Sequence, residues 1–143
     1  MATRHKQKLE TFMHMAINLG SLSTCSRRDV GCIFIDGNYK IVGSGYNGVA
    51  HGATHCKAVK CAGANSLSTT NLGECGAIHA EQNALMQCSD VSKIRVAIVT
   101  TFPCMHCVKM LLNTGCSMIV YKEDYDEAAK KYWLSRHKIV MKV

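Results

Sequence analysis

What most constrains the fold of this chain is the exchange of helical and strand patterning along its second half. His79 to Gln87 has helical spacing, with Ala80, Ala84 and Leu85 on one side, and Ile94–Thr100 is a run rich in β-branched residues. Met105–Asn113 returns to helical spacing and is closed by Gly115. Ser117–Tyr121 then reads as a strand, Asp124–Arg136 as a helix and Lys138–Val143 as a last strand. Upstream, residues 4–20 place Leu9, Phe12, Met13, Ala16, Ile17 and Leu19 at helical intervals and stop at Gly20. Val30–Ile35 and Tyr39–Gly45 flank Asp36-Gly37-Asn38, which predicts a β-hairpin. The order α-β-β-α-β-α-β-α-β predicts an α/β fold, one mixed sheet with helices packed on its faces. With 143 residues, 48% of them apolar, the chain is expected to form a single domain over residues 1–143.

Residues 47–76 interrupt that rhythm. They are rich in Gly, Ser, Thr and Asn, hold no sustained period, and need either a function or a clamp to lie in a compact domain. Nine cysteines, an odd number, fit a secreted disulfide framework poorly. The basic start is followed by residues 12–20, broken by His14 and Asn18 and without a small-residue cleavage site. No stretch approaches the ~20 apolar residues of a membrane span. A cytoplasmic chain with reduced thiols free for metal is therefore expected. The net charge of +7 suggests an anionic partner, although the basic residues form no single run and a solvated surface accounts for most of them.

His79-Ala80-Glu81 opens one predicted helix, and Pro103-Cys104-Met105-His106-Cys107 opens the next after a strand. Taken singly, His-x-Glu is a chance pairing, and Cys-x-x-Cys is redox-active or structural. Together they match a catalytic zinc site, which takes three protein ligands and keeps a fourth position for water. Cys104 and Cys107 lie one turn apart at a helix start, where the helix dipole favours thiolates, and His79 supplies a ring nitrogen. Glu81 as a further ligand would close the site, so it is assigned to proton transfer. Zinc held in this way lowers the pKa of bound water toward neutrality, and one carboxylate within reach of water and substrate serves both halves of the acid–base work. The combined motif resembles that of the zinc nucleobase deaminases.

The likeness extends further. Ser23-Thr24-Cys25-Ser26-Arg27 with Val30-Gly31, Gly45-Tyr46-Asn47-Gly48, His55-Cys56, Cys61, Cys75, His79 to Asn83, Pro103 to Cys107 and Asp124-Tyr125 together resemble the deoxycytidylate (dCMP) deaminases of the bacterial and phage type, within the cytidine deaminase-like zinc superfamily. The resemblance covers nearly the whole chain. It implies a three-layer α-β-α fold around a mixed sheet of about five strands. It also implies hydrolytic deamination of dCMP to dUMP and ammonia, a step in dTMP supply. By the same resemblance Asn47 holds the deoxyribose, Ser23, Thr24, Arg27 and Tyr125 surround the 5′-phosphate, and main-chain groups near Ala80 and Thr101 read the cytosine edge. An allosteric site is implied at Gly45, Tyr46, Asn47 and Gly48, where dCTP activates and dTTP inhibits with Mg2+, and so is a homohexamer. Where such enzymes commonly carry Arg before the Ser-Thr-Cys segment, this chain has Leu22. On the residues alone, Gly45 and Gly48 suit turn geometry, Asn47 a left-handed turn, Arg27 and Arg28 an exposed pair, and Tyr125 a packing position.

Cys25, Cys56, Cys61 and Cys75 lie in the loop-rich region, outside the catalytic motif. Four thiolates would make a closed structural zinc site that clamps the long loop, with His55 or His51 able to replace one of them. The alternative is four small buried residues. Cys32, Cys88 and Cys116 read as core, as do Met13, Met15, Met86, Met110 and Met118, and His5 has no identifiable partner. Three rival functions remain: a zinc deaminase acting on nucleic acid such as tRNA, a free-nucleoside cytidine deaminase, and a zinc-binding module without activity. Gly-Tyr-Asn-Gly and the extra cysteines stand against the first, the basic segment before Val30 against the second, and Glu81 against the third, since a structural zinc does not require it.

Overall fold

The computed structural model describes residues 2–24, 28–53 and 77–143. Helix α1 (Ala2–Gly20) precedes strands β1 (Gly31–Ile35) and β2 (Ile41–Tyr46), followed by two short strands, β3 (Gly48–Val49) and β4 (Ala77–Ile78). Then come α2 (Ala80–Gln87), β5 (Val96–Thr101), α3 (Met105–Leu112), β6 (Met118–Glu123), α4 (Glu127–Ser135) and β7 (Ile139–Lys142). Every predicted helix and strand is present, with ends displaced by at most three residues. The addition is the antiparallel β3–β4 ribbon, in which Gly48 pairs with Ile78 and Val49 with Ala77. A two-residue strand carries no period, so only the folded chain reveals it.

The main sheet has the order β2-β1-β5-β6-β7. β1 is antiparallel to both β2 and β5, whereas β5–β6 and β6–β7 are parallel, so the sheet is mixed and five-stranded. β1 is buried along its whole length because it lies between two strands and both its faces are covered. The alternation of side chains divides the covers. Ile33 and Ile35 meet Leu9, Met13 and Ala16 of α1, while Cys32 and Phe34 join the cluster built by Ala80 and Ala84 of α2, Val108 and Leu111 of α3, and Ala129 and Trp133 of α4. The result is the three-layer α-β-α arrangement anticipated from the sequence.

Local chemistry explains the joints. Asp36 Oδ1 accepts from the N–H groups of Asn38 (2.8 Å) and Lys40 (3.0 Å), which turns the hairpin. Asp126 caps α4 by accepting from the Ala129 N–H at 3.0 Å. Three expectations need correction. Met15 and Met86 are 41% and 69% exposed rather than core, each on the solvent side of its helix. Cys88 is only half-buried, at the end of α2, whereas Cys32 and Cys116 are fully buried. His5 does have a partner, since its Nδ1 meets the Tyr39 hydroxyl and ties α1 to the hairpin. Such a contact joins residues far apart in the chain and leaves no mark in either segment. Among the described residues no helix is long and apolar enough to cross a membrane.

Candidate active site

His79 and Cys104 are the N-cap residues of α2 and α3, both in extended conformation, and Cys107 lies one turn into α3. The His79 N–H donates to Gln82 Oε1 at 2.9 Å, which fixes the helix start. This is the reciprocal half of a capping box, legible in the sequence as a Gln three residues after the cap. His79 Nδ1 stands 3.5 Å from Cys104 Sγ and 3.4 Å from Cys107 Sγ. The three potential ligand atoms lie within 4.8 Å of one another. Zn–N and Zn–S bonds of ordinary length at a tetrahedral angle require an N···S separation of about 3.6 Å. One neutral-ring nitrogen and two thiolates at this spacing fit Zn2+ without rearrangement.

The protonation pattern of the three groups is uneven, and only Cys104 is shifted toward its anionic form. Cys104 is drawn down to about 4, chiefly because the Cys107 thiol donates to it, with His79 adding to the effect. Cys107 is pushed up, first by giving that hydrogen bond and then by burial. His79 is raised by its hydrogen bond to Cys104. Negative charge therefore collects on Cys104, at the N-terminus of α3, where partial positive charge favours it, and uptake of Zn2+ would draw the proton from Cys107.

Glu81 occupies the second position of α2 and is only 4% exposed. Burial pushes its carboxyl up to about 7, opposed by its own N–H and by the charge on His79. Ala80, between His79 and Glu81, is fully buried, and Thr101, which ends β5 just before the cysteine motif, is buried as well. Beside Thr101, a cavity of about 270 Å³ is lined by Ser21, Asp29, Thr100 and Lys122 among others.

The Gly45-Tyr46-Asn47-Gly48 segment is not a left-handed turn, since none of its residues has a positive φ. Its glycines answer to close approach instead. A Cβ on Gly45 would lie 2.6 Å from both Ala80 O and Ala84 N, and one on Gly48 would lie 2.8 Å from Thr24 Oγ1. Asn83 Nδ2 adds a bond to Tyr46 O at 2.8 Å. The helix carrying His79 and Glu81 is thus seated directly on β2, and neither Asn83 nor the packing role of the glycines was read from the sequence. Asn47 is 7% exposed. Its Oδ1 accepts from the Val30 N–H at 2.9 Å and its Nδ2 donates to Arg28 O at 2.7 Å.

Ser23 is buried and its hydroxyl donates to Arg28 O at 3.2 Å, while Thr24 Oγ1 accepts from the Val49 N–H at 3.2 Å. Tyr125 packs against the edge of the core and carries the Arg28 guanidinium 4.4 Å above its ring. Thr24, Gly45, Tyr46, Gly48, Asn83 and Gln87 are among the residues lining a second cavity of about 610 Å³. Cys25, Arg27, His55, Cys56, Cys61 and Cys75 lie outside the described residues.

Residues 6–123 match the family described as the cytidine and deoxycytidylate deaminase zinc-binding region. The chain is 34% identical over 119 residues to a deoxycytidylate deaminase of Schizosaccharomyces pombe, a match covering 80% of this chain and 37% of that protein. The Saccharomyces cerevisiae deoxycytidylate deaminase is likewise spanned over only 37% of its length. A deoxycytidylate deaminase of Mycobacterium phage D29 is 31% identical over 121 residues, covering 80% of this chain and 94% of that one. Among solved structures, the dCMP deaminase of cyanophage S-TIM5 in complex with dCMP and dUMP superposes with a TM-score of 0.74. That match has 26% identity and covers 94% of this chain and 95% of the other.

Proposed function

The chain belongs to the cytidine and deoxycytidylate deaminase zinc-binding family, and from that premise we propose that it is a zinc-dependent hydrolase converting dCMP and water to dUMP and ammonia. The observation that carries the proposal is the convergence of His79, Cys104 and Cys107 at a spacing suited to Zn2+, with the buried Glu81 carboxyl two residues from the histidine ligand. Zn2+ in that donor set supplies the positive charge that makes a water molecule nucleophilic near neutral pH. The protein's own part is proton handling. Glu81 accepts a proton as water oxygen bonds to C4 of the cytosine ring and delivers it to ring N3. A proton then passes to the exocyclic amine as the C4–N bond breaks and ammonia leaves. Burial of Glu81 keeps this carboxyl out of bulk water and in one place.

The main chain at Ala80 and Thr101 flanks the metal ligands and suits the cytosine edge. The segment that carries Ser23, Thr24, Arg27 and Arg28, with Tyr125 stacked against Arg28, suits a 5′-phosphate, because hydroxyls and guanidinium groups are strong partners for phosphate oxygens. The cavity bordered by Gly45, Tyr46 and Gly48 has a size usual for small-ligand sites and supports a nucleotide effector there, dCTP or dTTP with Mg2+. A second, structural zinc on Cys25, Cys56, Cys61 and Cys75 and a homohexameric assembly complete the reading.

An absorbance assay of the zinc-loaded protein tests it, with dCMP, deoxycytidine and a cytosine- or adenosine-bearing oligonucleotide as substrates, each with and without dCTP and Mg2+. Turnover of dCMP in preference to the others is expected. Turnover of the oligonucleotide with none of dCMP would overturn the substrate assignment, and zinc binding with no turnover of any substrate would overturn the enzyme assignment.

A further inference from the structure

We propose that the end of the sheet farthest from the metal ligands is a docking surface for nucleic acid, bound through its phosphate backbone without regard to sequence. The proposal goes beyond the dCMP reading and does not depend on it. β5 ends at Thr101, close to the cysteine ligands, and begins at Val96, about 17 Å away at the usual rise of a strand. At that far end the elements meet in a continuous series of contacts. The start of α1 touches the β1–β2 turn, where His5 meets Tyr39 and Lys8 Nζ lies 4.1 Å from the centre of the Tyr39 ring. The same turn reaches the start of β5, since a Cβ on Gly37 would lie 3.9 Å from Arg95 Cγ. Arg95 O accepts from the Ser117 N–H at 2.9 Å, at the entry to β6, and Ser117 O accepts from the Ile139 N–H at 3.0 Å, at the entry to β7.

Basic residues recur along this series. Arg4 and Lys8 stand on α1, Lys40 follows the turn, Lys93 and Arg95 precede β5, and Arg136 and Lys138 precede β7. Among the described residues only Asp36 and Asp90 oppose them at this end, and Lys6 is matched by Glu10 at 3.8 Å on α1. At the metal end, by contrast, Lys130 and Lys142 both lie against Asp124, at 2.8 Å and 2.5 Å. Much of the net charge of +7 is thus gathered where no substrate of the metal site can use it. The placement also works against α1. Its first turn holds no acidic residue and does hold Arg4, at the end of the helix where the dipole disfavours a cation.

The sheet is five strands wide from β2 to β7, about 19 Å, which is the length of about six base steps of a duplex. Phosphates at that spacing gain affinity through release of counterions and need no apolar burial. Exposed Thr3, Gln7 and Asn38 lie among the cations and suit phosphate and sugar oxygens. The exposed apolar side chains of this end do not gather, since Ile41 and Ile139 lie on β2 and β7, the opposite edges of the sheet. A lipid surface or a protein partner would draw on a contiguous apolar patch.

Fluorescence anisotropy of the zinc-loaded chain with a labelled DNA duplex of mixed sequence tests the proposal. Micromolar binding is expected at about 50 mM salt, falling about 100-fold by roughly 200 mM if about four phosphates are neutralised. Lys40→Gln combined with Arg136→Gln removes one exposed cation near each edge of this end. It should weaken binding about tenfold at low salt and reduce the salt slope by roughly 2, with dCMP turnover as in the wild type. Lys122→Gln combined with Lys142→Gln removes the same charge at the metal end and should weaken binding far less. No binding at low salt, an equal loss in the two double variants, or displacement of the DNA by dCMP would each overturn the proposal. Phosphatidylserine vesicles and poly-glutamate are tested beside the DNA. Binding of either with none of DNA would overturn it in favour of a membrane or an acidic protein. A wild-type protein that ignores dCMP refutes the substrate reading alone, and the DNA titrations still decide whether the docking surface exists.

Discussion

Gly45→Ala is the substitution whose effect can be worked most directly from the coordinates. The new Cβ would lie 2.6 Å from Ala80 O, 2.6 Å from Ala84 N and 3.0 Å from Asn83 Cβ. The two nearest atoms belong to the main chain of α2, so no change of rotamer relieves them. Ordinary contact needs about 3.5 Å, and α2 must therefore retreat from β2 by roughly 1 Å. Overpacking of this kind costs about 2 kcal/mol, which lowers Tm by roughly 5–8 °C in a domain of this size. His79 and Glu81 lie at the start of the helix that moves, and a displacement near 1 Å at a reacting centre lowers the rate by about 100-fold. Thermal melts followed by circular dichroism, zinc content by atomic emission and dCMP turnover well below Tm measure the three effects separately. Gly37→Ala is the control, because the nearest atom to its Cβ is Arg95 Cγ at 3.9 Å, and it should leave all three unchanged. A Gly45→Ala protein with the wild-type Tm and kcat would refute the claim that direct seating of α2 on β2 fixes the site.

Glu81→Gln should bind zinc as the wild type does and lose about 1,000-fold or more in kcat, because the amide cannot shuttle a proton; retained turnover would remove Glu81 from the mechanism. Chelation should abolish activity and Zn2+ should restore it, and metal analysis should return two zinc ions per chain, one of which is lost in His79→Ala and the other in Cys61→Ala. Asp124 is held down to about 2 by Lys130 and Lys142, at 2.8 Å and 2.5 Å. Its folded value lies below the unfolded one, so its contribution to stability is present above about pH 4 and disappears as pH falls toward 2. Asp124→Asn should therefore flatten the acid limb of Tm against pH, and high salt should reduce the difference from wild type because these groups are exposed.

The layers of this fold were legible because each element buries one face against a core and so repeats its apolar residues. Leu9, Met13 and Ala16 recur at helical intervals, and the apolar run of β1 marks a strand covered on both sides. The ligand set was legible for a related reason. Local geometry puts two cysteines one turn apart at one helix start and a histidine and a glutamate at another, a combination whose chemistry names a zinc site, while the packing of α2 and α3 on the sheet brings the two helix starts together.

The remainder depended on contacts between distant segments. The β3–β4 ribbon is too short to show a period, and His5 meets Tyr39 across 34 positions of sequence. Gly45 looked like a turn residue, because sequence shows that a side chain is missing but not whether conformation or space excludes it. Asn47 likewise shows that an amide is present, while its partners at residues 28 and 30 appear only once β1 and β2 are paired. The chain's own pattern thus determined which elements form and which atoms can bind a metal. Tertiary packing decided how closely α2 approaches β2 and what holds the segment before β1, since both are distances between surfaces that periodicity orients but does not bring together.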